Sequence, residues 1–177
     1  MTYRLPALLL AALLGLSQCK KHDPDPADQL PPATQTGAGT FGCLVNGRPW
    51  TPKGNDGTSN YTVSYDPTYR KGTLNMGTYR NIGKGANDYQ IVGFYADSIP
   101  ASGAYSLAIP NHQEGIFIDR TKTCQFPGND PYFRRGTLII TRLDLQAGII
   151  SGTFDFTLAK PGCDTLKVTQ GRFDKKL

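Results

Sequence analysis

The sequence contains very little glutamate and histidine. Of the 14 acidic residues in the chain of 177 residues, 13 are aspartates and Glu114 is the only glutamate. Glutamate favours helices, whereas aspartate is disfavoured inside both helices and strands, so a helical bundle is excluded and the carboxylates are expected in turns. The only histidines are His22 and His112, and a two-histidine metal site would require the polar segment around residue 22 to fold back. Residues 55–60 are rich in side chains whose oxygen atoms could bind calcium, but they lack the residue order of the calcium-binding loop that joins two helices. We therefore interpret them as a polar turn.

Long apolar runs and known catalytic motifs are also absent. The apolar stretch at 5–16 is shorter than the roughly 20 residues of a membrane-spanning helix. No Gly-x-Ser-x-Gly, His-Glu-x-x-His, Walker or Cys-x-x-Cys motif occurs. These absences predict a protein without a metal, a cofactor or a catalytic activity. The alternative is a hydrolase of envelope polymers that uses two aspartates, for example from Asp66, Asp97 and Asp119.

The N-terminus has the features of an export signal. Arg4 precedes the apolar stretch, and the following Leu16-Ser17-Gln18-Cys19 resembles the bacterial lipobox, although Gln18 stands where glycine or alanine is usual. We predict a signal peptide at 1–18 and a lipid on Cys19, which would anchor the protein in a bacterial cell envelope. The outer membrane is the expected location. The alternative is ordinary secretion with Cys19 as a disulfide cysteine.

The segment after Cys19 is polar and rich in proline. Residues 20–39 contain four prolines, three aspartates and no aromatic residue, which predicts a disordered tether from 19 to 39. The formal charge of the whole chain is +5. Loss of Arg4 with the signal would lower it to about +4, and no Lys/Arg run exceeds two residues. Nucleic-acid binding is therefore not expected.

Residues 40–177 have the pattern of an all-β domain. Short segments of alternating polarity are separated by Gly, Asn, Asp and Pro, which predicts one antiparallel β-sandwich or partly closed barrel. The expected strands, about nine, are 41–46, 61–66, 73–79, 89–96, 104–109, 115–119, 137–143, 149–158 and 165–169. The last three should form a meander, with a bulge at Gly171. The strand at 89–96 is apolar on both faces and is expected to be central and covered on each side.

Several segments resemble those of a known family. The runs GTFGCLVNGRPW at 39–50, ISGTFDF at 150–156 and GRFD at 171–174 follow a lipobox-like site and a polar tether. In this combination they resemble a family of Bacteroidota lipoproteins of uncharacterised function. The resemblance implies an all-β lipoprotein and supplies no catalytic residues.

Three cysteines remain if Cys19 carries lipid. An exported protein meets an oxidising compartment, where one disulfide is expected. If the strands at 137–143 and 149–158 pair about the 144–148 turn, the position opposite Cys163 lies near residue 129, close to Cys124. The register therefore predicts a disulfide between Cys124 and Cys163. Cys43 is expected to be a free, buried thiol.

Aromatic residues next to cations are the only positive indication of a ligand. Such residues occur in predicted loops and strand ends at Tyr69 and Arg70, at Tyr79 and Arg80, and at Tyr132 and Arg134. These rings could stack on sugars while the cations hold acidic substituents. In the alternative interpretation the rings cap the core and the charges stay in water. We expect a non-catalytic binding or structural module, with a glycan or an envelope protein as its partner. The single Trp50 is expected in the core.

Overall fold

A computed structural model describes residues 24–128 and 130–177 and shows two antiparallel sheets packed face to face. Cys19 and the expected signal peptide lie outside the described residues. The strands are β1 (Thr40–Val45), β2 (Arg48–Trp50), β3 (Tyr61–Asp66), β4 (Thr73–Asn81), β5 (Tyr89–Ala96), β6 (Gly103–Ser106), β7 (Ala108–Ile109), β8 (Gln113–Asp119), β9 (Phe133–Asp144), β10 (Ile149–Ala159) and β11 (Leu166–Lys176). In this part of the chain no helix is long and apolar enough to cross a membrane.

The two sheets form a sandwich and do not close into a barrel. The first sheet has the order β2-β1-β11-β10-β9-β6, and the second has the order β3-β4-β5-β8-β7. The all-β prediction is confirmed, and β9, β10 and β11 form the expected meander. The expected strand at 104–109 is divided at Leu107, whose buried side chain marks the point where the chain passes from the first sheet to the second.

The core is formed by apolar residues at every second position of the strands. In β10 every second residue from Ile150 to Leu158 is buried, and apart from Gly152 these residues are apolar. Aromatic rings fill the space between the sheets: the ring centroid of Phe94 lies 5.3 Å from that of Phe154 and 5.7 Å from that of Phe173. Trp50 is fully buried, as expected.

The bulge expected near Gly171 is present. The register between β10 and β11 shifts between Phe154 and Phe156, and the backbone of Gln170 has a φ of 55°. A Cβ atom at Gly171 would lie 2.5 Å from the carbonyl oxygen of Phe154, so only glycine fits there. The strand then continues to Lys176 instead of ending at residue 169, because the bulge restores pairing beyond it.

The segment expected to be a disordered tether packs on the domain. A 3₁₀ turn at Pro26–Gln29 precedes Leu30, which is buried. Pro31 contacts β1 so closely that a Cβ atom at Gly42 would lie 2.7 Å from it. Thr34, Thr36, Gly37 and Ala38 donate hydrogen bonds to the carboxylate of Asp174. The disorder prediction is therefore wrong for residues 30–38, because Leu30 and Pro31 pack on the domain and one carboxylate binds the residues that follow them.

The central strand of the second sheet is covered on one face only. Val92, Phe94 and Ala96 of β5 are buried in the core, whereas Ile91 and Tyr95 on the opposite face are only half-buried. The expectation of cover on both faces is wrong, because a two-layer antiparallel sandwich leaves the outer face of each sheet toward solvent. The outer face of β4 and β5 is thus available to a ligand.

Candidate functional site

Arg134 lies inside the protein, and Tyr132 is half-buried against it. Nη1 of Arg134 donates to Oε2 of Glu114 at 2.6 Å, and both side chains are almost fully buried. Nη2 donates to the carbonyl of Asp130 at 2.8 Å, and the guanidinium lies 4.4 Å from the centre of the Tyr132 ring. The predicted ligand contact is therefore wrong for Arg134, whereas the contact of the half-buried Tyr132 stays a prediction. Glu114, the single glutamate of the chain, neutralises this arginine. The residues next to Arg134 in the sequence do not indicate this ion pair.

A disulfide holds the loop that precedes these residues. Cys124 and Cys163 are bonded, with their Cα atoms 5.6 Å apart, which is the pairing expected from the strand register. Phe126 exchanges two backbone hydrogen bonds with Phe117 of β8. Cys43 is free and buried, and burial raises the pKa of its thiol to about 12. This thiol is therefore protonated and unreactive at neutral pH.

Tyr69 and Arg70 lie at one end of the second sheet, where Arg70 already has an anionic partner. Nη1 of Arg70 and Nδ1 of His112 lie 3.1 and 2.9 Å from the same oxygen of Asp97. Burial raises the pKa of Asp97, but hydrogen bonds from His112 and Arg70 outweigh it and lower the pKa overall. Tyr69 is 52% exposed. The pair thus offers one exposed ring beside a neutralised cation.

Tyr79 and Arg80 point to opposite faces of the sheet. Tyr79 lies on the outer face, whereas Arg80 lies on the inner side, where its guanidinium packs 5.4 Å from the Trp50 ring. Nε of Arg80 donates to Oε1 of Gln90 at 3.1 Å. Successive residues of a strand alternate between faces, so a ring and a cation that are neighbours in the sequence are separated by the sheet. The expected joint contact of Tyr79 and Arg80 with one ligand is therefore wrong.

The outer face around Tyr79 carries a groove of about 570 Å³. Tyr79 pairs with Ile91, and Asn81 pairs with Tyr89, so these four side chains share one face at the end of β4 and β5. Residues 54–60 lie on one side and residues 82–88 on the other. Two tyrosine rings and one isoleucine therefore form an apolar floor between two polar loops. We call this feature the tyrosine groove.

Asp56 fixes the rim of the tyrosine groove on one side. The Tyr79 hydroxyl donates to Oδ1 of Asp56 at 2.7 Å, and the hydroxyl of Thr58 donates to the same oxygen at 2.6 Å. These hydrogen bonds lower the pKa of Asp56 to about 2. The carboxylate is thus ionised at any physiological pH, and its other oxygen faces solvent as a hydrogen-bond acceptor.

The opposite rim is shaped by Asp88. Its Oδ2 accepts from the backbone N–H of Gly85 at 2.9 Å, and its own N–H donates to the carbonyl of Gly85 at 3.0 Å. A Cβ atom at Gly83 would lie 2.3 Å from the Asp88 carboxylate, so the two glycines allow the loop to close around it. Lys84 and Asn87 line the groove from this loop. The Gly83-Lys84-Gly85 run therefore has a structural role.

The aspartates expected in a hydrolase are engaged separately. Asp66 accepts from Thr68 and Tyr69 in its own turn, and Asp97 binds Arg70 and His112. Asp119 accepts from Gln90 and Thr121. Across residues 24–128 and 130–177 no group of three or more His, Cys, Asp or Glu side chains is placed to hold a metal ion.

Tyr79 is a ligand contact expected from the sequence, whereas Tyr89 and Asp56 are not. A pattern for Tyr89 is present in the sequence, because residues that lie directly opposite each other on two antiparallel strands share a face and a turn centred on residue 85 places Asn81 opposite Tyr89. Applying that rule to the strands around the 82–88 turn places Tyr79, Asn81, Tyr89 and Ile91 together. No sequence pattern indicates the position of Asp56, because this residue lies in an irregular loop whose shape is set by contacts in the folded chain.

Comparisons with known proteins add no family assignment. No protein-family model matches the chain, and neither the curated proteins nor the solved structures include a significant match. The fold and the tyrosine groove therefore stand on the geometry alone.

Proposed function

We propose that this chain is a non-catalytic binding module whose tyrosine groove takes a glycan strand. The observation that carries the proposal is the shared outer face of Tyr79, Tyr89 and Ile91 between two polar loops. A sugar ring has an apolar C–H face and a rim of hydroxyl groups. An apolar floor with polar groups at its edges matches both properties.

The polar groups at the rim favour a hydroxyl-rich ligand. Asp56 offers a carboxylate oxygen as an acceptor, Lys84 offers an ammonium donor, and the amides of Asn81 and Asn87 offer both. Around the groove the carboxylates of Asp56 and Asp88 are balanced by Lys84 and by Arg120, whose guanidinium lies 5.7 Å from the centre of the Tyr89 ring, so the net charge is about zero. A neutral glycan therefore fits the tyrosine groove better than a polyanion does.

We also propose that a lipid on Cys19 anchors the module in a bacterial cell envelope, at the outer membrane. Support comes from the signal-peptide layout, the lipobox-like residues 16–19 and the resemblance to Bacteroidota lipoproteins. The membrane is then a partner through the lipid, and the groove faces polymers of the same compartment. An envelope protein is the alternative partner, since aromatic residues are also enriched at protein interfaces.

Affinity electrophoresis of the full-length protein in native gels tests the glycan proposal. The probes are soluble xylan, glucomannan, hydroxyethylcellulose and solubilised peptidoglycan. We expect at least one of them to retard the protein. Tyr79→Ala and Tyr89→Ala should weaken that retardation about tenfold, because loss of one stacked ring removes roughly 1.4 kcal/mol.

Tyr69→Ala is the matched control, because Tyr69 is an exposed tyrosine in the turn between β3 and β4, outside the tyrosine groove. It should leave retardation unchanged, and thermal unfolding should show that all three variants are folded. Equal losses in Tyr69→Ala and Tyr79→Ala, or no retardation by any probe, would contradict the proposal.

A further inference from the structure

A second concave surface lies on the inner side of the same strand ends. Arg48 of β2, Arg80 of β4 and Lys122 line a cleft of about 420 Å³ together with Gln90 and Asp119. We call it the basic cleft. Arg48 belongs to the first sheet and Arg80 to the second, so the cleft opens between the two sheets.

The charges of the basic cleft are not balanced within the protein. Three cations and one carboxylate line it, so the net charge is about +2. The ion pairs among the described residues involve Arg70, His112, Arg134 and Arg142, and none includes a cation of the cleft. Asp119 accepts from Gln90 through one oxygen and from Thr121 through the other. Both carboxylate oxygens of Asp119 thus accept hydrogen bonds from uncharged groups.

Arg80 is held in place without a carboxylate partner. Nε donates to Gln90 at 3.1 Å, Nη1 donates to the carbonyl of Pro49 at 3.2 Å, and the guanidinium packs on the Trp50 ring. Gln90 is itself fixed by a hydrogen bond from Nε1 of Trp50. Arg80 is half-buried, and burial lowers its pKa more than the nearby charge of Asp119 raises it. A partly desolvated cation in a fixed position is costly unless an anion compensates it.

We propose that the basic cleft binds a phosphate dianion. Arg80 supplies a fixed guanidinium whose Nη2 makes no hydrogen bond among residues 24–128 and 130–177, and arginine suits oxyanions because its donors form a rigid fork. Arg48 and Lys122 are exposed and reach the same space from two other segments. The net charge of about +2 matches a dianion better than it matches a carboxylate. This proposal is independent of glycan binding in the tyrosine groove.

Isothermal titration of the full-length protein tests the basic cleft with inorganic phosphate, glycerol 3-phosphate and acetate as probes. We expect saturable binding of phosphate and weaker binding of acetate. Arg80→Gln should lower the association constant about tenfold, because it removes a charge-assisted contact. The double variant Arg48→Ala/Lys122→Ala should also lower it about tenfold, roughly threefold for each exposed cation.

The double variant keeps the test decisive if Arg80→Gln fails to fold, because Arg48 and Lys122 have exposed side chains. Arg135→Ala, at an exposed arginine of β9 that does not line the cleft, is the control and should bind phosphate unchanged. Tighter binding of glycerol 3-phosphate than of phosphate would identify a phosphate group carried by a larger molecule as the source. Tighter binding of phosphate would identify the free ion. No saturable binding, an equal loss in Arg135→Ala, or acetate as tight as phosphate would overturn the proposal.

Discussion

Asp174→Asn tests how the N-terminal segment is held to the domain. Asp174 is fully buried in β11. One carboxylate oxygen accepts from Oγ of Ser151 at 2.6 Å and from the N–H of Gly37 at 2.8 Å. The other accepts from the hydroxyl of Thr34 at 2.7 Å and from the N–H groups of Thr36 and Ala38 at 2.9 and 3.0 Å. One side chain therefore satisfies donors from β10 and from the segment before β1.

Asparagine would keep one acceptor oxygen and turn an amide NH₂ toward the remaining donors. If its oxygen stays with Thr34, Thr36 and Ala38, then Ser151 and Gly37 lose their acceptor. Each unsatisfied buried donor costs about 1.5 kcal/mol, so we expect a loss of about 3 kcal/mol in the free energy of unfolding. For a domain of this size such a loss lowers the melting temperature by about 6–12 °C.

The same carboxylate makes stability depend on pH. Burial raises the pKa of Asp174, but hydrogen bonds from Ser151, Thr34 and the backbone of residues 37 and 38 outweigh burial and hold the pKa far below its usual range. A lowered pKa in the folded state adds stability above the unfolded value of about 3.9, and this stability is lost as the pH falls below it. Asp174→Asn should therefore flatten the acid limb of the stability curve.

Urea unfolding at pH 7 and pH 3 measures both effects, and hydrogen exchange reports whether the amides of residues 36–38 lose protection. The matched control is Asp155→Asn, because Asp155 is an exposed aspartate on the adjacent strand β10. A loss below about 0.5 kcal/mol in Asp174→Asn, or an equal loss in both variants, would refute the role assigned to the carboxylate. Protease cleavage within residues 30–38 of the native protein would also count against it.

Two further predictions concern the cysteines. Replacing both Cys124 and Cys163 by serine removes a cross-link over 39 residues and should lower the free energy of unfolding by about 4 kcal/mol; a loss below 1 kcal/mol in urea unfolding would contradict this. Cys19 should incorporate a fatty-acid probe during growth in the native host, and Cys19→Ala should abolish the label. Equal labelling of both proteins, or of neither, would end the proposal of a lipid anchor.

Local alternation predicted most of the fold. The strands Tyr61–Asp66 and Tyr89–Ala96 have the limits expected from the sequence, because Gly, Asn, Asp and Pro interrupt the pattern on both sides. The register of β9 and β10 also followed from the turn at 144–148, and it runs to Ala159 opposite Phe133. Extending this register places Cys163 close to the loop that contains Cys124, so the disulfide could be derived.

Contacts between distant residues were not predictable in this way. The N-terminal segment binds Asp174 mainly through backbone N–H groups, and these have no sequence signature. Leu30 and Pro31 are too few to mark a buried segment by composition. Glu114 and Arg134 are 20 residues apart and meet because β8 and β9 belong to different sheets of the sandwich. The sequence indicated their chemistry but not their pairing.

The two proposed sites use alternate residues of the same strands, which makes their tests separable. Tyr79 and Tyr89 face the tyrosine groove, whereas the next residues, Arg80 and Gln90, face the basic cleft. Because the sheet lies between them, Tyr79→Ala removes a ring from the groove without touching the guanidinium of Arg80. A loss of glycan binding that leaves phosphate binding intact, and the reverse for Arg80→Gln, would therefore assign each ligand to one face of the sheet.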